Sequence, residues 1–533
     1  MKALKNIIRG VVVSLLLLTG EAHALTPVQM IELTTGDNDQ RIEAISRTTA
    51  AGDSAAIPFL NHILNDEIRI SDNTIFIVSD SGVINAFTGH SAELPDYADD
   101  VTNNNRMRSS IEAAIAALNL LANDADVRHQ AAVTLQQTEN DESILLLVRK
   151  VEKAEQNAKT RLLLSEVRAR IELRGDDRLL RLNAAQELAS GTSTEIKNLL
   201  NRRLIDDADN GETDPEVRQV ITAAIHSIDQ RLAYYEHAGT LFTGISLGSV
   251  LLLAALGLAI TYGLMGVINM AHGEMIMLGA YATYIVQNIF RQYLPGLFDA
   301  YILLAIPVAF ITTALIGMVM ERTVIRHLYG RPLETLLATW GISLILMQLV
   351  RTLFGAQNVM VENPSWMSGG LELSSNLVLP YNRITIILFS FSVLLLVWSL
   401  LNKSRLGLFV RAVTQNRTMA GCVGVNTKRI DSWAFALGSG TAGLAGVALA
   451  QIGNVGPDLG QTYIVDSFLV VVLGGVGQLA GTVYAALGIG IVSKSLEGFS
   501  GAVLAKIIVL IAIIIFIQKR PQGIFALKGR SVE

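Results

Sequence analysis

The chain changes character near residue 240, and that change limits what it can fold into. Residues 25–237 are rich in charge and hold only short apolar runs. Residues 241–518 are dominated by apolar stretches long enough to cross a bilayer. A chain written this way is a soluble domain joined to a membrane domain. Movement of a substance across a membrane is therefore the leading class of function.

Composition agrees. Of the 533 residues, 51% are hydrophobic and only 17% charged, and the mean hydropathy of +0.42 is high for a globular protein. The formal net charge of −5 hides an asymmetry. Residues 25–240 carry 35 acidic against 21 basic side chains; from 241 onward 18 basic face 11 acidic. An acidic soluble half does not suit nucleic acid. Lys2, Lys5 and Arg9, the apolar run from Val11 to Leu18, and Ala22-His23-Ala24 have the order of a secretory signal over residues 1–24. Residues 25–237 would then be an exported, periplasmic domain, and 238–533 the transmembrane domain. The single cysteine, Cys422, lies in the membrane half, so the exported domain holds together without a disulfide.

The exported domain reads as mostly helical. Apolar residues recur at helical spacing over 111–121, 127–135, 144–151, 162–171, 179–188 and 217–232. Asp124-Ala-Asp-Val-Arg-His-Gln-Ala and Asp214-Pro-Glu-Val-Arg-Gln-Val-Ile open two of these in the same way. Asp suits the cap and Pro215 the first turn. Such recurrence resembles helical repeats of the HEAT type. Residues 68–88 break the pattern and predict a small β-hairpin insert. The histidines of this domain (His62, His90, His129, His226 and His237) are scattered without metal-ligand spacing, so no metal, cofactor or catalytic residue is expected.

The expected fold is all-α: a polytopic transmembrane helical bundle behind an exported helical domain. Nine apolar segments occupy 241–264, 266–290, 301–320, 335–354, 384–401, 432–451, 464–476, 482–496 and 503–518. The seventh and eighth are short and glycine-rich, which suits half-helices or a re-entrant pair, giving eight or nine segments in all. With residue 240 outside, Arg322, Arg326, Arg331, the run from Lys403 to Arg429, and Lys519, Arg520, Lys528 and Arg530 all face the cytoplasm. The C-terminus then lies inside.

Three local patterns carry chemistry. The first is Gly266-Val-Ile-Asn269-Met-Ala-His272-Gly-Glu274, whose Asn, His and Glu are costly to place in lipid and so face a pathway or one another. The second is the basic loop 405–429, with Ala412, Ala420, Gly421 and Gly424 among its charges. Small residues between basic ones suit a short amphipathic helix seated in a partner's cleft. The third, Lys519-Arg-Pro-Gln-Gly-Ile-Phe525, closes the last span. Gly488-Ile-Gly-Ile-Val-Ser-Lys-Ser495 approaches a phosphate loop but lacks the second glycine and lies in an apolar segment.

In this order the three patterns resemble the permease subunits of branched-chain amino acid ATP-binding-cassette importers. The matching residues are Asn269-Met-Ala-His-Gly-Glu274, Arg411-Ala…Asn416…Ala420…Gly424-Val-Asn426, Leu473-Gly-Gly-Val-Gly477 and Arg520-Pro-Gln-Gly-Ile-Phe525. The likeness covers about residues 240–530. It implies that Arg411, Asn416, Ala420, Gly424 and Lys428 belong to a loop contacting an ATPase. A long exported helical domain ahead of the permease resembles the B-type permease of the urea-specific branch, which implies urea as solute. Thr261, Asn269, His272, Glu274, Gln348, Gln451 and Asn454 are the candidates for its path. The hydrogen-bonding side chains among them have a second reading, as bonds between helices. The implied partners are a second permease subunit, two ATP-binding subunits and a periplasmic solute-binding protein, in an inner membrane. Branched-chain amino acids or short amides remain an alternative solute. A membrane receptor with an exported sensor, or an intramembrane enzyme, are alternatives of other classes; the latter lacks a third partner for His272 and Glu274.

Overall fold

The computed structural model describes residues 25–525 apart from 80–81, 96, 139–141, 206–210 and 375–376. The signal-like residues 1–24, Lys528 and Arg530 lie outside the described residues. The chain divides into two compact units at Leu232/Ala233, five residues before the division expected from composition.

In the first unit, helices α1 (Pro27–Thr34), α2 (Asn38–Ala51) and α3 (Ile57–Leu64) lead into strands β1 (Ile68–Ser71), β2 (Thr74–Ser79), β3 (Gly82–Asn85) and β4 (Asp99–Asp100). Then follow α4 (Asn105–Asn119), α5 (Ala125–Gln137), α6 (Leu145–Ala154), α7 (Ala158–Glu172), α8 (Arg178–Leu188), α9 (Thr194–Leu204) and the start of α10 (Pro215–Met265). The insert is larger than a hairpin. It is an antiparallel sheet in the order β3-β2-β1-β4, with Ile68 opposite Ile77 and Ile70 opposite Ile75. Asp72 and Asn73, both at positive φ, make the two-residue turn that the twist of paired strands favours.

The helices of this unit pack mainly on near neighbours in sequence. Three apolar cores follow one another along the chain, around Leu60 and Ile111, then Leu135 and Leu164, then Leu188 and Ile221. An Asp-x-x-x-Arg signature recurs at the helix starts. Asp37, Asp124, Asp177 and Asp214 each accept a bond from an amide of the first turn (2.8–2.9 Å). The arginine four residues on turns back to carbonyls of the preceding segment. Arg128 reaches Ala122 and Asn123, and Arg181 reaches Gly175 and Asp176. Both also meet a buried glutamate, Glu155 and Glu212 respectively, each at 2.8 Å or less. Carbonyls left over at a helix end are thereby satisfied.

The second unit holds the rest of α10, then α11 (His272–Tyr293), α12 (Tyr301–Thr323), α13 (Pro332–Phe354), the strand pair β5 (Gly370–Ser374) and β6 (Leu377–Pro380), and α14 (Tyr381–Lys403). Two short helices, α15 (Arg405–Gln415) and α16 (Arg417–Cys422), precede α17 (Thr427–Ala450), α18 (Leu459–Gly474) and α19 (Leu479–Lys519). Among the described residues six helices are long and apolar enough to cross a membrane. This is an all-α polytopic architecture, and each of the nine apolar segments falls on a helical stretch. The eighth and ninth are two helical stretches within Leu479–Lys519 that meet at Gly501, where φ +76° and ψ 163° leave the helix and suit only glycine. The seventh, α18, has 16 residues, roughly 24 Å of rise against a hydrocarbon core of about 30 Å.

α17 is the hub of this unit, in contact with α11 and α12. It is buried along almost its whole length. Its packing needs glycine: a Cβ at Gly443 would meet Thr313 and Ala309 of α12, and one at Gly446 would meet Ala280 of α11.

Candidate functional site

The turn between α10 and α11 is built by the first motif. Gly266 (φ +67°) ends α10, its amide bonded to Tyr262 O at 3.0 Å. Asn269 Oδ1 then accepts the Ala271 amide at 3.1 Å and closes the turn. Thr339 of α13 pins the turn from outside, its hydroxyl accepting the Met270 amide at 3.1 Å. His272, fully buried, donates from Nε2 to Ala254 O of α10 at 2.9 Å. Glu274 Oε1 accepts from the Ser343 hydroxyl of α13 at 2.9 Å.

The three side chains thus diverge. Asn269 lines a 250 Å³ cavity with Leu258, Tyr262, Ile268, Leu336 and Phe468; His272 ties to α10 and Glu274 to α13. Each keeps an atom without a hydrogen-bond partner: Asn269 Nδ2, His272 Nδ1 and Glu274 Oε2. Unpaired buried atoms cost stability, about 1–3 kcal/mol each. A turn kept for architecture alone would gain by losing them.

The other candidates scatter. Thr261 bonds within its own helix, to Gly257 O and Leu258 O, and its methyl packs at Gly438. Gln451 is buried at the end of α17. Its Oε1 accepts from Tyr301 at 3.0 Å, and its Nε2 is unpartnered. Tyr301 also reaches Glu362 O at 2.8 Å, and Gln287 donates to the same carbonyl at 2.8 Å. Gln287 and Tyr301, which sequence reasoning missed, thus join Gln451 in one polar knot. Gln348 lies on an exposed face of α13 and Asn454 in an exposed turn. The structure does not bring these two into the buried group, because helical phase and turn position set their facing, not polarity.

The basic loop is two helices where one was expected. Ser404 caps α15, Asn416 caps α16 through a 2.9 Å bond from the Met419 amide, and Asn426 caps α17. Arg411 and Lys428 are exposed, Ala420 is buried, and Leu408, Phe409, Met419 and Val423 present apolar surface between the charges. Gly424 has φ +90° and open space where a Cβ would sit. Within this chain its requirement is conformational.

An ionic network around the buried Glu321 and Asp431 was not anticipated. Arg417 of α16 pairs with Asp431 of α17 and lies over the Tyr329 ring at 4.6 Å. Tyr329 reaches Glu321, which is fully buried and also holds Arg326 at 3.1 Å and the Ser432 hydroxyl at 2.5 Å. Among the described residues no three His, Cys, Asp or Glu come together as a metal site.

Residues 240–518 match the model of a family described as branched-chain amino acid transport system / permease component. The high-affinity branched-chain amino acid transport system permease protein LivH of Salmonella typhimurium is 28% identical over 291 residues, 53% of this chain and 94% of its own. Its counterpart BraD of Pseudomonas aeruginosa is 28% identical over 296 residues, 54% and 96% of the two chains. A probable LivH of Methanocaldococcus jannaschii is 26% identical over 301 residues, 54% and 91%. No solved structure matches. The chain belongs to the branched-chain amino acid transport permease family and is a membrane transport subunit, not an enzyme. The residues ahead of 240 lie outside the family match.

Proposed function

We propose that this chain is the permease subunit of an ATP-binding-cassette importer whose solute is urea. It would work in an inner membrane with a second permease, two ATP-binding subunits and a periplasmic solute-binding protein. The observation that carries the importer reading is the α15–α16 surface in a chain of this family. Exposed Leu408, Met419 and Val423, framed by Arg411 and Lys428, form a preset face. The Arg417–Asp431 pair ties that face to the head of α17, so a push on it would reach the helix at the hub of the bundle.

Urea is favoured by the acidic helical unit ahead of the family match, which we read as an exported repeat solenoid that docks the binding protein. The uncharged donor left over at Asn269 and at Gln451 suits a solute recognised by hydrogen bonds alone. A second reading, branched-chain amino acids, is favoured by the names of the relatives. Co-reconstitution with the neighbouring transporter subunits in liposomes separates them. ATP-dependent uptake of labelled urea but not leucine is expected, and leucine uptake alone would replace the first reading by the second. Orientation is tested on a Cys422→Ser background. A cysteine at Gln357 should react with an impermeant reagent from outside, and one at Gln415 only in opened membranes; the reverse would remove the coupling argument.

A further inference from the structure

Four charged side chains in or beside the last three apolar segments have no part in the reading above. Asp466 of α18, Lys494 and Glu497 before the Gly501 break of α19, and Lys506 after it all line one cavity of 640 Å³. Lys506 Nζ stands 3.1 Å from Asp466 Oδ2 across the α18–α19 contact, and Lys494 Nζ stands 2.6 Å from Glu497 Oε2. The rest of the lining is largely aliphatic, with Thr462, Tyr463 and Ser493 the hydroxyl-bearing residues. In the proposed orientation the break lies at the outer end of the bundle, where a delivered solute would enter.

We propose that this cavity is where the permease first holds its solute, and that the solute is net neutral with N–H donors beside an oxygen acceptor. Three observations converge. Charges in membrane segments are costly and are retained for pathways; α17, which packs far more tightly, has none between Ser432 and Ala450. The pairs neutralise one another, so the cavity selects against ions of either sign. Each ammonium carries three donors and gives one to its carboxylate, and each carboxylate keeps acceptor sites. A solute can insert its N–H groups at Asp466 or Glu497 and its oxygen at Lys506 or Lys494, replacing the internal bonds one for one. Urea, short amides and amino-acid zwitterions share that chemistry. The volume falls in the range of small-molecule sites.

The inference rests on the importer reading, and its test separates the two. In the reconstituted transporter, Asp466→Asn and Lys506→Gln should each raise the uptake KM about tenfold or more with a smaller change in kcat, the mark of lost solute binding. The double exchange Asp466→Lys with Lys506→Asp should recover part of it. A second probe leaves the four charges intact. Ser493→Cys on the Cys422→Ser background should react with a small thiol reagent, and saturating solute should slow that reaction. Urea, acetamide and leucine are compared as protectants, and the protecting one identifies the source. Wild-type uptake with unchanged KM in the single variants, or labelling slowed by anionic lipid and not by the transported solute, overturns the site. Absence of wild-type uptake of all three solutes overturns the importer reading and the site with it.

Discussion

The two units treat buried charge in opposite ways. In the first, Glu155, Glu172 and Glu212 are almost fully buried, and each meets a guanidinium, from Arg128, Arg149 and Arg181. In the second, among the described residues, charge meets charge near helix ends or in the open cavity, as at Glu321–Arg326 and Asp466–Lys506. At the head of α11, Glu274 meets one serine hydroxyl, and His272 one carbonyl. Packing differs as well. The first unit interdigitates Leu, Ile and Val between near neighbours; the second brings backbones together across glycine. A soluble repeat can pair its buried carboxylates because arginine reaches in from the surface. A membrane helix has no such supply, so incompletely bonded polar atoms there mark positions held for something other than stability.

The largest expected effect breaks the membrane side of this contrast. Gly443→Leu drives a side chain into Thr313 and Ala309, whereas Gly488 faces open space. The first should cost about 3 kcal/mol or more and abolish monodisperse material in detergent, while Gly488→Leu should leave the elution profile intact. Equal behaviour of the two would show that glycine is not what closes the bundle.

In the first unit, Arg128→Ala should lower the stability of a 25–232 fragment more than Arg181→Ala, because Glu155 loses its guanidinium while Glu212 keeps Arg203 at 3.6 Å. Guanidinium unfolding measures this, and an equal or larger loss from Arg181→Ala would break the comparison. The pH dependence sharpens the same point. The hydrogen bond from Arg128 holds the Glu155 carboxyl down at about 2, against an ordinary 4.5. A depressed carboxylate stabilises the fold fully above its unfolded value and loses that contribution as pH falls through the folded one. Stability of the fragment should therefore decline between about pH 4.5 and 2, and Glu155→Gln should flatten that limb.

The smallest effect concerns Gly424. With φ at +90° and free space around it, Gly424→Ala should cost about 1 kcal/mol of local strain and reduce uptake modestly. If backbone strain is the whole cause, Gly424→Trp should do no more. A far larger loss of uptake and of solute-stimulated ATP hydrolysis in Trp than in Ala would locate a partner at this glycine.

Much of this was legible in the sequence. The division near 240, the helical character of both halves and the patterns at 266–274 and 405–429 follow from composition and local spacing. The Asp-and-Arg helix starts were visible at Asp124 and Asp214, because a cap acts within its own turn. The unread parts depend on partners distant in sequence. The four-stranded sheet needed β4, two residues long and without an apolar pattern. The Tyr301–Gln451 bond spans 150 residues, and the Arg417–Asp431 pair could not be told from other loop charges.

The sequence by itself determined which segments leave water and which do not, since transfer free energy adds up residue by residue along a segment. It also determined where helices start. Only the tertiary structure placed the break between segments eight and nine at Gly501. It alone turned Gln348 and Asn454 away from the buried group and brought Asp466, Lys494, Glu497 and Lys506 to one cavity. Facing is set by the helix on the other side of a contact, and no local pattern encodes that.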